Sequence, residues 1–213
     1  MKTDDLIAML SADVAPVDHR WTTRSLATAV ALGAAATLIL VIVALGVRAH
    51  LTDAGVFVPL LLKIGVLIAV LVPASVYLAR VVRPGGERGT PLGLVALPFV
   101  GVVLLAAVSL GFAPRAHWDR MVMGDQWVEC LVSIPLIAIV PFAVIVWVVR
   151  RSAPTDLRRA GALVGLVAGC VSAVGYALHC VDDTVPFVAL WYGGTIALCT
   201  LAGWRLGPRL LRW

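Results

Sequence analysis

Thiol, imidazole and carboxylate side chains crowd two short stretches of this chain, "WVEC" at residues 127–130 and "HCVDD" at 179–183. Cys130 and Cys180 supply soft donors, Glu129, His179 and Asp182 stand beside them, and Asp183 comes next in line. Two chemistries suit such a set. Thiolates with imidazole or carboxylate can bind a soft or borderline metal ion, and the same neighbours can tune a reactive thiol pair. A permanent disulfide tying two helix ends, with the acids merely solvated, is equally open from the residues alone. Cys170 and Cys199 instead fall in mid-run apolar surroundings, where a thiol behaves as a small hydrophobe. The sequence carries no P-loop, HExxH, GxSxG or CxxC motif. Neither an enzyme nor a resident cofactor is expected, beyond a transient heavy-metal ion at the cysteine pair.

The elements that must position these residues are membrane helices. Of the 213 residues, 61% are hydrophobic and only 14% charged, with a mean hydropathy of +1.00. Water-soluble domains carry about a quarter charged residues. Six apolar runs stand out: Ser25–Val47, Val56–Ala79, Pro91–Ala113, Cys130–Val149, Ala160–Leu178 and Thr184–Trp204. Each approaches the roughly 20 residues that cross about 30 Å of hydrocarbon as a helix. They are continuous, without the alternation of a membrane strand. The first is too long for a signal-peptide core of about 7–15 residues, so no cleaved leader is expected.

Charge then orients the bundle. Of the 17 Lys and Arg residues, 13 lie on one side, from Lys2 and Arg20 through Arg150 and Arg158 to Arg212. The other side holds Arg48, Arg115 and Arg120, and Lys63 falls within the second run. Connections this short obey the positive-inside bias, which puts both termini in the cytoplasm. The net charge of +5 reflects that topology, and direct nucleic-acid binding is not expected. The fold expected is all-α, a polytopic bundle of six transmembrane helices in a lipid bilayer. Residues 1–23 form a cytoplasmic segment and residues 24–213 the membrane domain.

Spacing brings the two cysteines together. The turn between the fourth and fifth runs centres on Thr155, and Cys130 and Cys180 each lie 25 residues from it. Antiparallel helices rising about 1.5 Å per residue place both at one height, at the outer ends of their spans. In the fifth run Gly161, Gly165 and Gly169 recur every fourth residue, a small-residue ridge for close helix packing that brings a disulfide between these spans within reach. Lys63, about two turns from the outer end of its run, is expected to snorkel outward, or to pair with Asp53 or Asp119. Pumps and transporters place several ionisable groups within their spans, which ranks a small transporter or metal-efflux protein second.

The amino-terminal segment has its own pattern. Thr3 can cap a helix whose first turn holds Asp4 and Asp5, and Leu6, Met9 and Leu10 follow at helical spacing before Pro16. So short a helix needs a surface. Its acidic polar face suits a groove on a cytoplasmic partner better than a membrane, whose surface helices carry basic faces.

"DDLIAMLSADVAPV" at the amino terminus, six spans, "WVECLVSIPL" and "YALHCVDD" together resemble the NrsF family of bacterial membrane anti-sigma factors over essentially the whole chain. The resemblance implies a multi-pass protein of the bacterial inner membrane that sequesters an extracytoplasmic-function sigma factor. It implies release when heavy metals or oxidants act on the periplasmic side, with Cys130 and Cys180 as the sensor pair. Leu6, Met9 and Leu10, with Asp5, become the candidate sigma-factor contacts.

Overall fold

The computed structural model describes residues 3, 5, 7 and 9, then 19–49, 53–83, 93–152 and 154–212. Every regular element among them is helical. Helix α1 (His19–Leu40) continues into a π-helical turn, Val41–Leu45, and α2 (Ala54–Val81) and α3 (Gly93–Phe112) follow. A 3₁₀ turn at Arg115–His117 leads into the short α4 (Trp118–Met123), then α5 (Trp127–Arg150) and α6 (Leu157–Tyr176). The last span begins as α7 (Val185–Phe187), passes through a second π turn, Val188–Tyr192, and ends as α8 (Gly193–Leu210).

Five helical stretches are long and apolar enough to cross a membrane: Trp21–Leu45, Gly55–Val81, Arg115–Arg150, Leu157–Tyr176 and Val185–Leu210. The sixth helix, α3, has 20 residues and a shorter described apolar part, Ala96–Phe112. Some helices overrun the apolar runs: α2 extends two residues beyond each end of Val56–Ala79, whereas α6 ends at Tyr176, two residues before Leu178. Helical hydrogen bonding can continue past the first Arg of such a run, because a long Arg side chain carries its charge away from the apolar stem. Large apolar side chains such as Leu32, Val43, Leu62, Leu105 and Phe112 are exposed, as hydrocarbon-facing residues are.

Helix α6 is the centre of the bundle. Of its apolar window 72% is buried, against 22–39% for the other four stretches, and it packs on α8, α5, α2 and α1. Its start is fixed by Asp156, whose carboxylate accepts from the backbone N–H groups of Arg158 and Arg159 at 3.0 Å. The glycine ridge faces α8, and not α5 as a cysteine-bearing neighbour would require. A Cβ at Gly161 would strike the carbonyl of Gly203, and one at Gly165 the carbonyl of Cys199. Gly203 and Gly207 answer the ridge from the opposite helix, so small residues on both sides let two backbones touch. Helix α5 meets α1 through Pro141 instead, whose Cβ lies 2.8 Å from where a Cβ on Gly33 would stand.

Two ends of the bundle differ in character. Arg80, Arg150, Arg158 and Arg209 mark one end, together with Trp147 and Trp204, over whose rings Arg151 and Arg158 lie at 3.7 and 5.0 Å. The other end gathers the segments 46–49, 113–126 and 177–184. The cysteines belong to that end.

Candidate functional site

The site is the loop 177–184, which leaves the central helix and meets the ends of α1, α2 and α5 through different residues. Cys180 faces Cys130 in the first turn of α5, with the two Sγ atoms 3.8 Å apart. Both are free thiols with no exposed surface. The equal heights expected from the helix turn are therefore observed, although the glycine ridge is not what brings the pair together. A hydrogen bond between the thiols is the strongest influence on Cys180, and it holds this thiol below its usual range. Burial opposes that shift, and the Lys63 ammonium reinforces it.

Asp182 and Asp183 do separate work. The Asp182 carboxylate accepts from the backbone N–H groups of Asp125 and Gln126 at 3.0 and 2.9 Å, at the amino end of α5. A negative charge there also meets the positive end of the helix dipole. Gln126 returns the contact, accepting the N–H of Val181 at 3.2 Å. Gly124 is required beside it: its φ is +56°, and a Cβ would lie 2.7 Å from the Asp182 carboxyl. Asp183 receives Arg48 Nη1 at 2.6 Å on one oxygen and Lys63 Nζ at 3.2 Å on the other.

This arrangement corrects the reading of Lys63. Its side chain does not snorkel, since it is wholly buried, and its carboxylate partner is Asp183 and neither Asp53 nor Asp119. It also donates to the Asp182 carbonyl at 2.9 Å and lies 4.5 Å from the Tyr192 ring centre. A cation so placed needs its anion, because desolvation of a lone charge costs several kcal/mol.

His179 turns away from the thiols. Its Nδ1 lies 3.0 Å from the Gly46 carbonyl, which can only accept, so Nδ1 carries the proton. Glu129 is exposed on the surface of α5. Of the residues suggested as metal donors, Cys130 and Cys180 are thus side by side, while Asp182 and His179 are committed to backbone groups. Among the described residues no cluster of three or more His, Cys, Asp or Glu forms a metal-binding group. What the geometry offers is a two-thiol centre. The phenols of Tyr176 and Tyr192 face it, one towards each sulfur, without closing a hydrogen bond. Either hydroxyl can donate to a thiolate as it forms.

Arg48, Asp183, Gln126 and the two tyrosines are participants that the sequence did not single out as a set. One signal was present: Arg48 is one of three cations that the charge pattern sets apart from the arginine-rich side, and Asp183 is the last acid before the final apolar run. Of the amino-terminal residues, Asp5 and Met9 are helical and exposed, whereas Leu6 and Leu10 lie outside the described residues.

Comparisons with known proteins point in one direction. The family model described as NrsF, negative regulator of sigma F, matches residues 10–213. The chain is similar to the probable anti-sigma-F factor NrsF of Azospira oryzae, with 32% identity over the whole of both chains. It is also similar to the anti-sigma-F factor NrsF of Caulobacter vibrioides, with 35% identity and again full coverage of both. No solved structure matches the chain.

Proposed function

The chain belongs to the NrsF family of anti-sigma factors, and we propose that it holds an extracytoplasmic-function sigma factor at the inner membrane until a periplasmic stress reaches Cys130 and Cys180. Its role is regulatory, through binding a sigma factor, and not catalytic. In this reading all six long helices cross the bilayer, with both termini in the cytoplasm. Helix α3, at 20 residues, spans about 30 Å and is long enough for the sixth crossing. The amino-terminal segment supplies Asp5, Leu6, Met9 and Leu10 to a groove on the sigma factor.

One observation carries the sensor reading: two free thiols, fully buried, 3.8 Å apart at the end of the bundle opposite the arginine-rich ends. Oxidation by peroxide removes two protons and two electrons from the pair, joins the sulfurs, and leaves two molecules of water. A soft divalent metal such as cadmium displaces the two protons and is held by both sulfurs. Either event changes the packing of the loop 177–184. A transporter reading has less support, since Lys63, the charged side chain buried within a span among the described residues, is committed to Asp183.

The test replaces each cysteine by serine, alone and together, and follows sigma-dependent transcription before and after cadmium, chromate or peroxide. A shared switch requires each single variant to lose induction as fully as the double variant. Full induction in the Cys130→Ser, Cys180→Ser protein would show that the pair has no part in sensing.

A further inference from the structure

We propose that Arg48 is the positioning residue through which the cysteine pair acts on α1, and through α1 on the amino-terminal segment. The inference rests on the sensor reading above and adds the route by which the signal leaves the site. Three contacts join the loop after α6 to the outer end of α1. The Arg48 N–H donates to the Leu178 carbonyl at 3.1 Å, His179 Nδ1 donates to the Gly46 carbonyl at 3.0 Å, and Arg48 Nη1 donates to the carbonyl of Cys180 itself at 3.1 Å. The same guanidinium pairs with Asp183 and reaches the Val56 carbonyl in the first turn of α2 at 3.2 Å. One planar side chain therefore links the sensor residue to two helices, a geometry that a lysine cannot reproduce.

The element that receives this link is built to change. Immediately before Gly46, α1 is π-helical over Val41–Leu45, closed by a bond from the Gly46 N–H to the Val41 carbonyl at 3.0 Å. Gly46 then leaves the helix at φ +78°. A π turn holds one residue more than the α-helix around it and recurs at functional sites. Passing that residue through an α-helix corresponds to roughly 1.5 Å of rise and 100° of rotation. Bringing the sulfurs from 3.8 Å to a bond of about 2.05 Å requires a closing of roughly 1.8 Å. The two displacements are alike in size. Cys180 lies in a loop rather than within α6, and Arg48 holds its carbonyl, so a shift of the sulfur is passed to the guanidinium. From the π turn, α1 runs without a break to His19, and the proposed sigma-binding segment precedes it in the sequence.

The experiment uses the full-length protein in nanodiscs, loaded with its sigma factor and treated with hydrogen peroxide. Two quantities are followed: loss of alkylatable thiol at Cys130 and Cys180, and dissociation of the sigma factor. Wild type should do both. The Arg48→Met protein should form the disulfide to the same extent while sigma release slows at least tenfold. Arg48→Lys should resemble Met, because it keeps the charge at Asp183 but cannot hold the Cys180 and Val56 carbonyls as well. Release from Arg48→Met at the wild-type rate overturns the proposal. Wild type that forms the disulfide and retains sigma sinks the sensor reading instead. A second measurement needs no variant and decides the matter if Arg48→Met fails to fold: hydrogen exchange of the amides of residues 41–48 in reduced and oxidised wild type. A change of at least tenfold in exchange is expected, and equal exchange in both states overturns the coupling.

Discussion

Replacing Asp183 by asparagine should destabilise the whole bundle by about 3–5 kcal/mol, the range found when one partner of a buried ion pair is removed. The estimate follows from the geometry. Arg48 and Lys63 side chains are 3% and 0% exposed, and Asp183 is 14% exposed, so little water reaches the three charges. At separations of 2.6 and 3.2 Å and an effective dielectric of about 20, each attraction is gross roughly 5–6 kcal/mol before desolvation is subtracted. Asparagine is nearly isosteric and keeps a carbonyl acceptor, so the loss reflects charge and not volume. Two cations then face one another at the outer end of α2 without an anion. Removing one of them should recover part of the loss, and Lys63→Met with Asp183→Asn should cost less than the sum of the two single changes by at least about 1 kcal/mol. Reversible unfolding in mixed detergent micelles, with helicity as the signal, measures all three variants. A loss below about 1 kcal/mol for Asp183→Asn, within the range of an exposed ion pair, would refute the argument that this network is buried and essential.

Gly165→Ala should cost roughly 1–3 kcal/mol or more in the same assay, because its Cβ would meet the Cys199 carbonyl, whereas Gly65→Ala, where the space is open, should be neutral or stabilising. Replacing Leu6 and Leu10 together by aspartate should abolish sigma capture measured by copurification, with membrane insertion unchanged, since an unpaired charge buried in an apolar groove costs several kcal/mol. Reporter fusions after Arg88 and Arg159 should show a cytoplasmic location and a fusion after Arg120 a periplasmic one; the reverse result at Arg88 would remove the basis for placing the cysteines outside.

Local pattern was legible in this sequence and partnership was not, for a physical reason. A span must be predominantly apolar, so the helices and their approximate ends followed from where charge clusters interrupt the runs; α5 covers the expected Cys130–Val149 with three residues added before it and one after. Equal heights for Cys130 and Cys180 needed only a helix rise and a turn. Which helix lies beside which is a different kind of fact. Gly161, Gly165 and Gly169 announce that some backbone approaches closely, but nothing in their spacing distinguishes α5 from α8, and the contact fell to α8 because Gly203 and Gly207 offer it a matching surface. The π turn at Val41–Leu45 was equally hidden, since a uniformly apolar stretch places no polar marker at the added residue.

Lys63 carries the same lesson into function. Judged by its own neighbourhood it lies near enough to water to reach out, and snorkelling is the least costly solution for an isolated cation. Its actual partner stands 120 residues further along the chain, in the acid-rich loop that carries Cys180. Once Asp183 is in place, a buried Lys63 becomes favourable and the loop acquires a fixed anchor on α2, as Asp182 anchors it on α5 and His179 and Arg48 on α1. The four polar residues set side by side at the end of an apolar run thus share one physical purpose. A loop at the hydrocarbon boundary has to satisfy its polar groups with protein. By spending them on three different helices, α1, α2 and α5, it places a pair of thiols where a small change in their bonding is felt by all three.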